Sequence, residues 1–135
     1  MTILVKSVRE KRLIDEIFQL AKENKPCYYL MKDISKFVED KYGLDTIITH
    51  IYRKLSEQHK FYGKDTTRVS PHQLFHSFDI RSRIFNNDEI KEIVDYVNTK
   101  YNATNYYKTT CMAHEVIKDG KSFGMHFHCQ YLTKD

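Results

Sequence analysis

Apolar residues recur at helical spacing through the first part of the chain and at alternate positions in the last. Leu13, Ile14, Ile17, Phe18, Leu20 and Ala21 fall on one stripe, which predicts an amphipathic helix over residues 7–24. Ser7 and Glu10 have the spacing of a capping box, and Asn24-Lys25-Pro26 reads as the end of this helix. The apolar residues 27–31 suit either a strand or the start of the next helix. For that helix Asp33 or Ser35 is the expected cap, and Gly43 stops it after Tyr42. Residues 47–52 are rich in β-branched side chains and predict a strand. A short helix over 55–62, ended by Gly63, and a polar loop over 63–71 follow. Phe78-Asp79-Ile80 reads as a short strand. Ile90, Ile93, Val94 and Val97 place a helix over 88–101, with Asn87 as its cap and Asp88 and Glu89 suited to its positive end. Residues 110–117 and 124–131 flank Lys118-Asp119-Gly120-Lys121, and Asp-Gly between alternating segments signals a hairpin. The expected fold is α+β: one domain over 1–135, with a small, mostly antiparallel sheet and a C-terminal β-hairpin packed against helices.

Composition narrows the class. At 135 residues, 41% hydrophobic and 30% charged, the chain can bury one core. No apolar run approaches the length of a membrane helix, and Met1–Val5 is too short for a secretory signal, so synthesis in the cytoplasm without a signal peptide is expected. The three cysteines lack CxxC spacing and read as reduced, buried thiols, with Cys111 and Cys129 on probable neighbouring strands. A net charge of +4 favours acidic partners only weakly, and the basic residues are scattered, so no nucleic-acid partner and no membrane partner are expected.

The chemistry sits in two histidine-bearing patterns. His72 precedes Asp79 by seven positions in Ser-Pro-His-Gln-Leu-Phe-His-Ser-Phe-Asp, and His126-Phe-His128 lies near the C-terminus. A hydrolytic zinc site uses about three protein ligands and leaves a position for water, and two imidazoles with a carboxylate suit that ion. Side chains two apart on a strand share a face, so His126, His128 and Gln130 point the same way. Asp79 stands between Phe78 and Ile80, where an isolated carboxylate would be costly, and so calls for a cation or hydrogen-bond donors. An ion pair with Arg81 or Arg83 is the simpler alternative. His50, His59 and His76 are read as structural.

These segments resemble the LAS-type zinc peptidases, which join D-alanyl-D-alanine carboxypeptidases, L-alanyl-D-glutamate endopeptidases and murein endopeptidases. Their signature is Ser-x-His-x-x-Gly-x-Ala-x-Asp with a downstream His, often as His-x-His. Ser70, His72, Asp79 and His128 fall on the matching positions, and the likeness, to small phage-type members, spans residues 45–132. Residues 1–44 match nothing specific and form a helical N-terminal extension. The resemblance implies that His72, Asp79 and His128 bind zinc, and that Arg53 holds the substrate carboxylate or the oxyanion. It further implies that a general base takes a proton from the metal-bound water. Relatives often carry an acid three positions before the last ligand; here that residue is Met125, so His126 is the expected base and Glu115 the reserve. A simple turn would put Glu115 on the face of His126, whereas a bulge would present His114. Phe75 stands where the family has Gly. The implied function is hydrolysis of a peptide bond in the peptidoglycan stem, with the protein reaching the cell wall through a holin or as part of a virion. The alternative is a non-catalytic structural or virion-associated protein that keeps the fold.

Overall fold

The computed structural model describes residues 3–5, 10–52 and 71–134. The expected helix over 55–62, the loop that follows it, and the roles assigned to Ser7, Arg53, His59 and Ser70 lie outside the described residues. Strand β1 (Ile3–Val5) is followed by helices α1 (Glu10–Glu23) and α2 (Lys25–Tyr42) and by strand β2 (Thr46–His50). A 3₁₀ turn (Pro71–Leu74), strand β3 (Ser77–Arg81), helix α3 (Asn87–Tyr101), and the hairpin β4 (Cys111–Lys118) and β5 (Lys121–Gln130) complete the order. The five strands form one sheet in the order β1-β2-β3-β5-β4. Only β1 and β2 run parallel, with α1 and α2 as their crossover, so the fold is the expected α+β with a mostly antiparallel sheet.

The helix boundaries correct the sequence reading at two caps. Residues 27–31 belong to α2, which starts at Lys25 rather than after Asp33 or Ser35. Asn24 is its cap: the side-chain oxygen accepts from the Cys27 N–H at 3.2 Å, and Pro26 occupies the first turn, where a missing N–H costs nothing. Helix α3 is capped by Asn86 rather than Asn87, through a reciprocal capping box with Glu89. Gly43 ends α2 as expected, at φ 66°, with its N–H on the Glu39 carbonyl. Asp119 and Gly120 both take positive φ in the hairpin turn, as a tight primed turn requires.

One core joins the layers. Leu20, Leu30, Ile34 and Val38 of the first two helices and Ile93 and Val97 of α3 meet Ile48, Phe78, Ile80 and Phe127 of the sheet, all buried. Each such side chain contributes about 1.5–3 kcal/mol by leaving water. In β3 the alternate residues Phe78 and Ile80 supply this face, which forces Ser77, Asp79 and Arg81 to the other side. The sheet therefore has an apolar face for the helices and a polar face for chemistry.

A polar clamp fastens α2 to α3. Asp33 accepts hydrogen bonds from the Tyr96 hydroxyl at 2.9 Å, the Lys100 ammonium at 2.8 Å and the Tyr101 hydroxyl. Burial pushes the Asp33 carboxyl up, but the bonds from Lys100, Tyr101 and Tyr96 together outweigh it and hold it below its ordinary value. Its stabilisation is therefore present above the usual carboxylate range near ~4 and lost as pH falls through the lower, folded-state value. Asp33→Ala is expected to cost about 1–3 kcal/mol at pH 7 and to flatten the acid limb of a urea-denaturation series. An unchanged acid limb would show that the clamp contributes nothing.

Candidate metal centre

Strand pairing assembles the polar face. Asp79 lies opposite His128, and Arg81 opposite His126, across β3 and β5. Phe127 and Cys129 are buried on the core side, so His126, His128 and Gln130 share the other face, as their parity predicts. Across β4, Met112 pairs with His128 and His114 with His126, and the register shifts only beyond Glu115. This is the bulged alternative. His114 joins the histidine face, its ring centroid 4.7 Å from that of His126, while Glu115 stands opposite exposed Met125. Glu115 is thereby turned away from the cluster, and its reserve role as base is withdrawn.

Strand β2 adds a residue that the sequence reading left as structural. Ile48 pairs with Ile80, but His50 pairs with Asp79, so Thr49 is an extra residue on β2. Such a bulge re-aims the side chains that follow it, and it turns His50 from the core face to that of Asp79. Its ring stacks on His72 at 4.4 Å. Ile48 and Ile51 are both buried although three residues apart, which strict alternation forbids and the extra residue explains. His76, by contrast, is structural as expected, with Nδ1 2.9 Å from the Tyr107 hydroxyl.

His72 comes from the 3₁₀ turn and is 2% exposed, beside Asp79 at 6%. Its Nδ1 is 3.0 Å from the Ile51 carbonyl, and its Nε2 is 3.2 Å from Asp79 Oδ1. A carbonyl only accepts, so Nδ1 carries a hydrogen and Nε2 faces the carboxylate. His128 is fixed by a longer relay. The Gln130 amide N–H donates to the Thr109 carbonyl at 3.0 Å, which turns its oxygen to His128 Nε2 at 3.1 Å. Nε2 must then carry the hydrogen, leaving Nδ1 facing Asp79 Oδ1 at 3.1 Å. Two anchored imidazoles thus aim their second nitrogens at one carboxylate oxygen. Lone pairs facing an anion repel, so a positive charge belongs between them, supplied by protons or by a metal ion. Donation of the remote ring N–H to a carbonyl is also how metal-binding histidines are commonly oriented.

Among the described residues, His50, His72 and Asp79 each offer a ligand atom, all within 4.8 Å of one another, and the group can hold a metal ion. His128 shares Asp79 Oδ1 but lies outside that tightest set, whose third member is His50. The His126 Nε2 is 3.7 Å from Asp79 Oδ2 and nearer the surface, with its side chain 20% exposed. Burial lowers the His126 value more than Asp79 raises it. For Asp79, burial pushes the carboxyl up, but His72 and His128 outweigh it and hold it well below its ordinary range.

The backbone three residues after His72 is unusual. Phe75 has φ 56°, the left-handed region that glycine enters without strain and that costs a larger residue roughly 1–2 kcal/mol. Its ring stacks on Tyr52 at 4.8 Å and its carbonyl accepts from Asn24 at 3.2 Å, which offset that strain. Comparison of the chain with known protein families, with curated proteins and with solved structures finds no match.

Proposed function

We propose that this protein is a zinc-dependent peptidase that hydrolyses a peptide bond in the peptidoglycan stem. The observation that carries the metal-dependent part is the convergence of imidazole nitrogens, with tautomers set by carbonyl anchors, on the buried carboxylate of Asp79. His72 and Asp79 hold the ion with His50 or His128, a nitrogen-rich set with one carboxylate that suits zinc. Zinc bound there supplies Lewis acidity and lowers the pKa of a water. His126, beside Asp79 and in ring contact with the more exposed His114, accepts the proton and returns it to the leaving amine. The substrate class rests on the resemblance of Ser70, His72, Asp79 and His128 to the LAS-type signature, supported by the glycine-like backbone at Phe75.

The expected result is about one zinc per chain and clearing of purified cell wall in a zymogram, abolished by chelation and restored by zinc. Clearing that persists after stringent metal removal rejects the mechanism. A second reading is favoured by Met125, a half-exposed thioether where an acid is common in relatives: a virion-associated or structural protein that keeps the fold without the reaction. Zinc retained without wall cleavage selects it.

A further inference from the structure

A cavity of about 430 Å³ opens beside His126, between the end of β3 and the middle of β5. Its volume is that of a small-ligand site. Phe85, Ile90 and Met125 give it apolar walls, and Arg81 and Arg83 are the cationic residues of a lining that contains no Asp or Glu. Arg81 is the cross-strand partner of His126, on the face that carries Asp79. Elsewhere Arg12 pairs with Glu16, Lys36 with Asp40, Lys41 with Glu92 and Lys100 with Asp33. Arg81 and Arg83 have no such partner among the described residues. The cleft is also braced, because the buried Ser82 hydroxyl donates to the Met125 carbonyl at 3.0 Å and ties its two walls together.

We propose that this cleft is an anion subsite that binds a carboxylate carried on a short apolar stem, with the adjoining part of the ligand directed to His126. A guanidinium fork matches a carboxylate bidentately, and the apolar walls select an organic acid over an inorganic anion. In naming the ligand as the acidic portion of a peptide, the inference rests on the peptidase reading. It assigns a carboxylate-holding task to Arg81 and Arg83, distinct from that expected of Arg53.

The test uses the full chain, ¹³C-labelled at Met and Ile methyls, first freed of metal and then zinc-loaded. N-acetyl-D-alanine is expected to shift the Met125 and Ile90 signals in both states. Its neutral amide should bind about tenfold or more weakly, the usual effect of losing a charge-assisted pair. Arg81→Gln with Arg83→Gln should erase the preference for the acid, and the paired Lys variant should restore part of it. Equal binding of acid and amide by the unsubstituted chain overturns the proposal, whether or not the double variant folds. So does inorganic phosphate binding as tightly as the acyl amino acid, which would leave the apolar walls without effect. The assay reads no turnover: binding of the acid by a chain that never cleaves removes the peptidase reading alone. Cleavage with a KM indifferent to Arg81→Gln and Arg83→Gln removes the subsite alone.

Discussion

Asp79→Asn is expected to abolish metal retention and lower wall cleavage about a thousandfold, equivalent to roughly 4 kcal/mol of transition-state stabilisation. The fold should survive. Asp79 lies on the polar face of β3, while Phe78 and Ile80, which join the sheet to the helices, are untouched. The amide even suits the metal-free cluster better. Its N–H₂ can donate to the nitrogens that His72 and His128 direct at this position, at 3.2 and 3.1 Å from the present carboxylate oxygen. The lone-pair conflict then disappears without any buried charge, so the melting temperature of the metal-free variant should equal or exceed that of the parent. Metal content by mass spectrometry, zymography and a thermal melt decide the matter together. A variant that keeps its zinc and its cleavage would remove Asp79 from the centre. A variant that loses both but also unfolds would make Asp79 a structural residue first.

The parts of this arrangement visible in the sequence are those governed by local rules. Two-residue parity placed His126, His128 and Gln130 on one face, and the Asp-Gly turn located the hairpin. Parity could not bring His50 to the centre, because a strand read residue by residue has no place for Thr49 as an extra residue, and that bulge exists only in the pairing with β3. The same limit hid which of Glu115 and His114 faces His126, since the answer depends on where the hairpin register shifts. Caps failed for another reason. At both Asn24 and Asn86-Asn87 several polar residues compete; bonds to distant carbonyls hold Asn24, while at Asn86 the reciprocal box with Glu89 sets the start one residue earlier than Asn87. The Gln130 relay that orients His128 ends on the Thr109 carbonyl, outside the hairpin strands, a contact no short motif encodes.

Asn24 shows how the N-terminal helices reach the centre, and its replacement should have the largest effect on stability. Its oxygen caps α2 through the Cys27 N–H, while its amide nitrogen donates to the Phe75 carbonyl at 3.2 Å and the Tyr131 carbonyl at 2.9 Å. One side chain, 7% exposed, therefore joins a helix start, the turn after His72 and the chain just beyond β5. Asn24→Ala removes a cap worth about 1 kcal/mol and strips two carbonyls of a donor, at about 1 kcal/mol or more each. The expected loss is roughly 3 kcal/mol, or a melting temperature lower by about 10 °C for a chain of this size. Asn24→Ser separates the two contributions, because its hydroxyl can cap the helix but is too short to span to Phe75 and Tyr131. It should recover about 1 kcal/mol and no more. Metal affinity should fall in both variants, since Phe75 holds its left-handed backbone only three residues after His72 and the tie to Asn24 helps to fix it. If Asn24→Ser melts with the parent and binds zinc equally well, the bonds to Phe75 and Tyr131 contribute nothing, and the α1–α2 junction has no hold on the site.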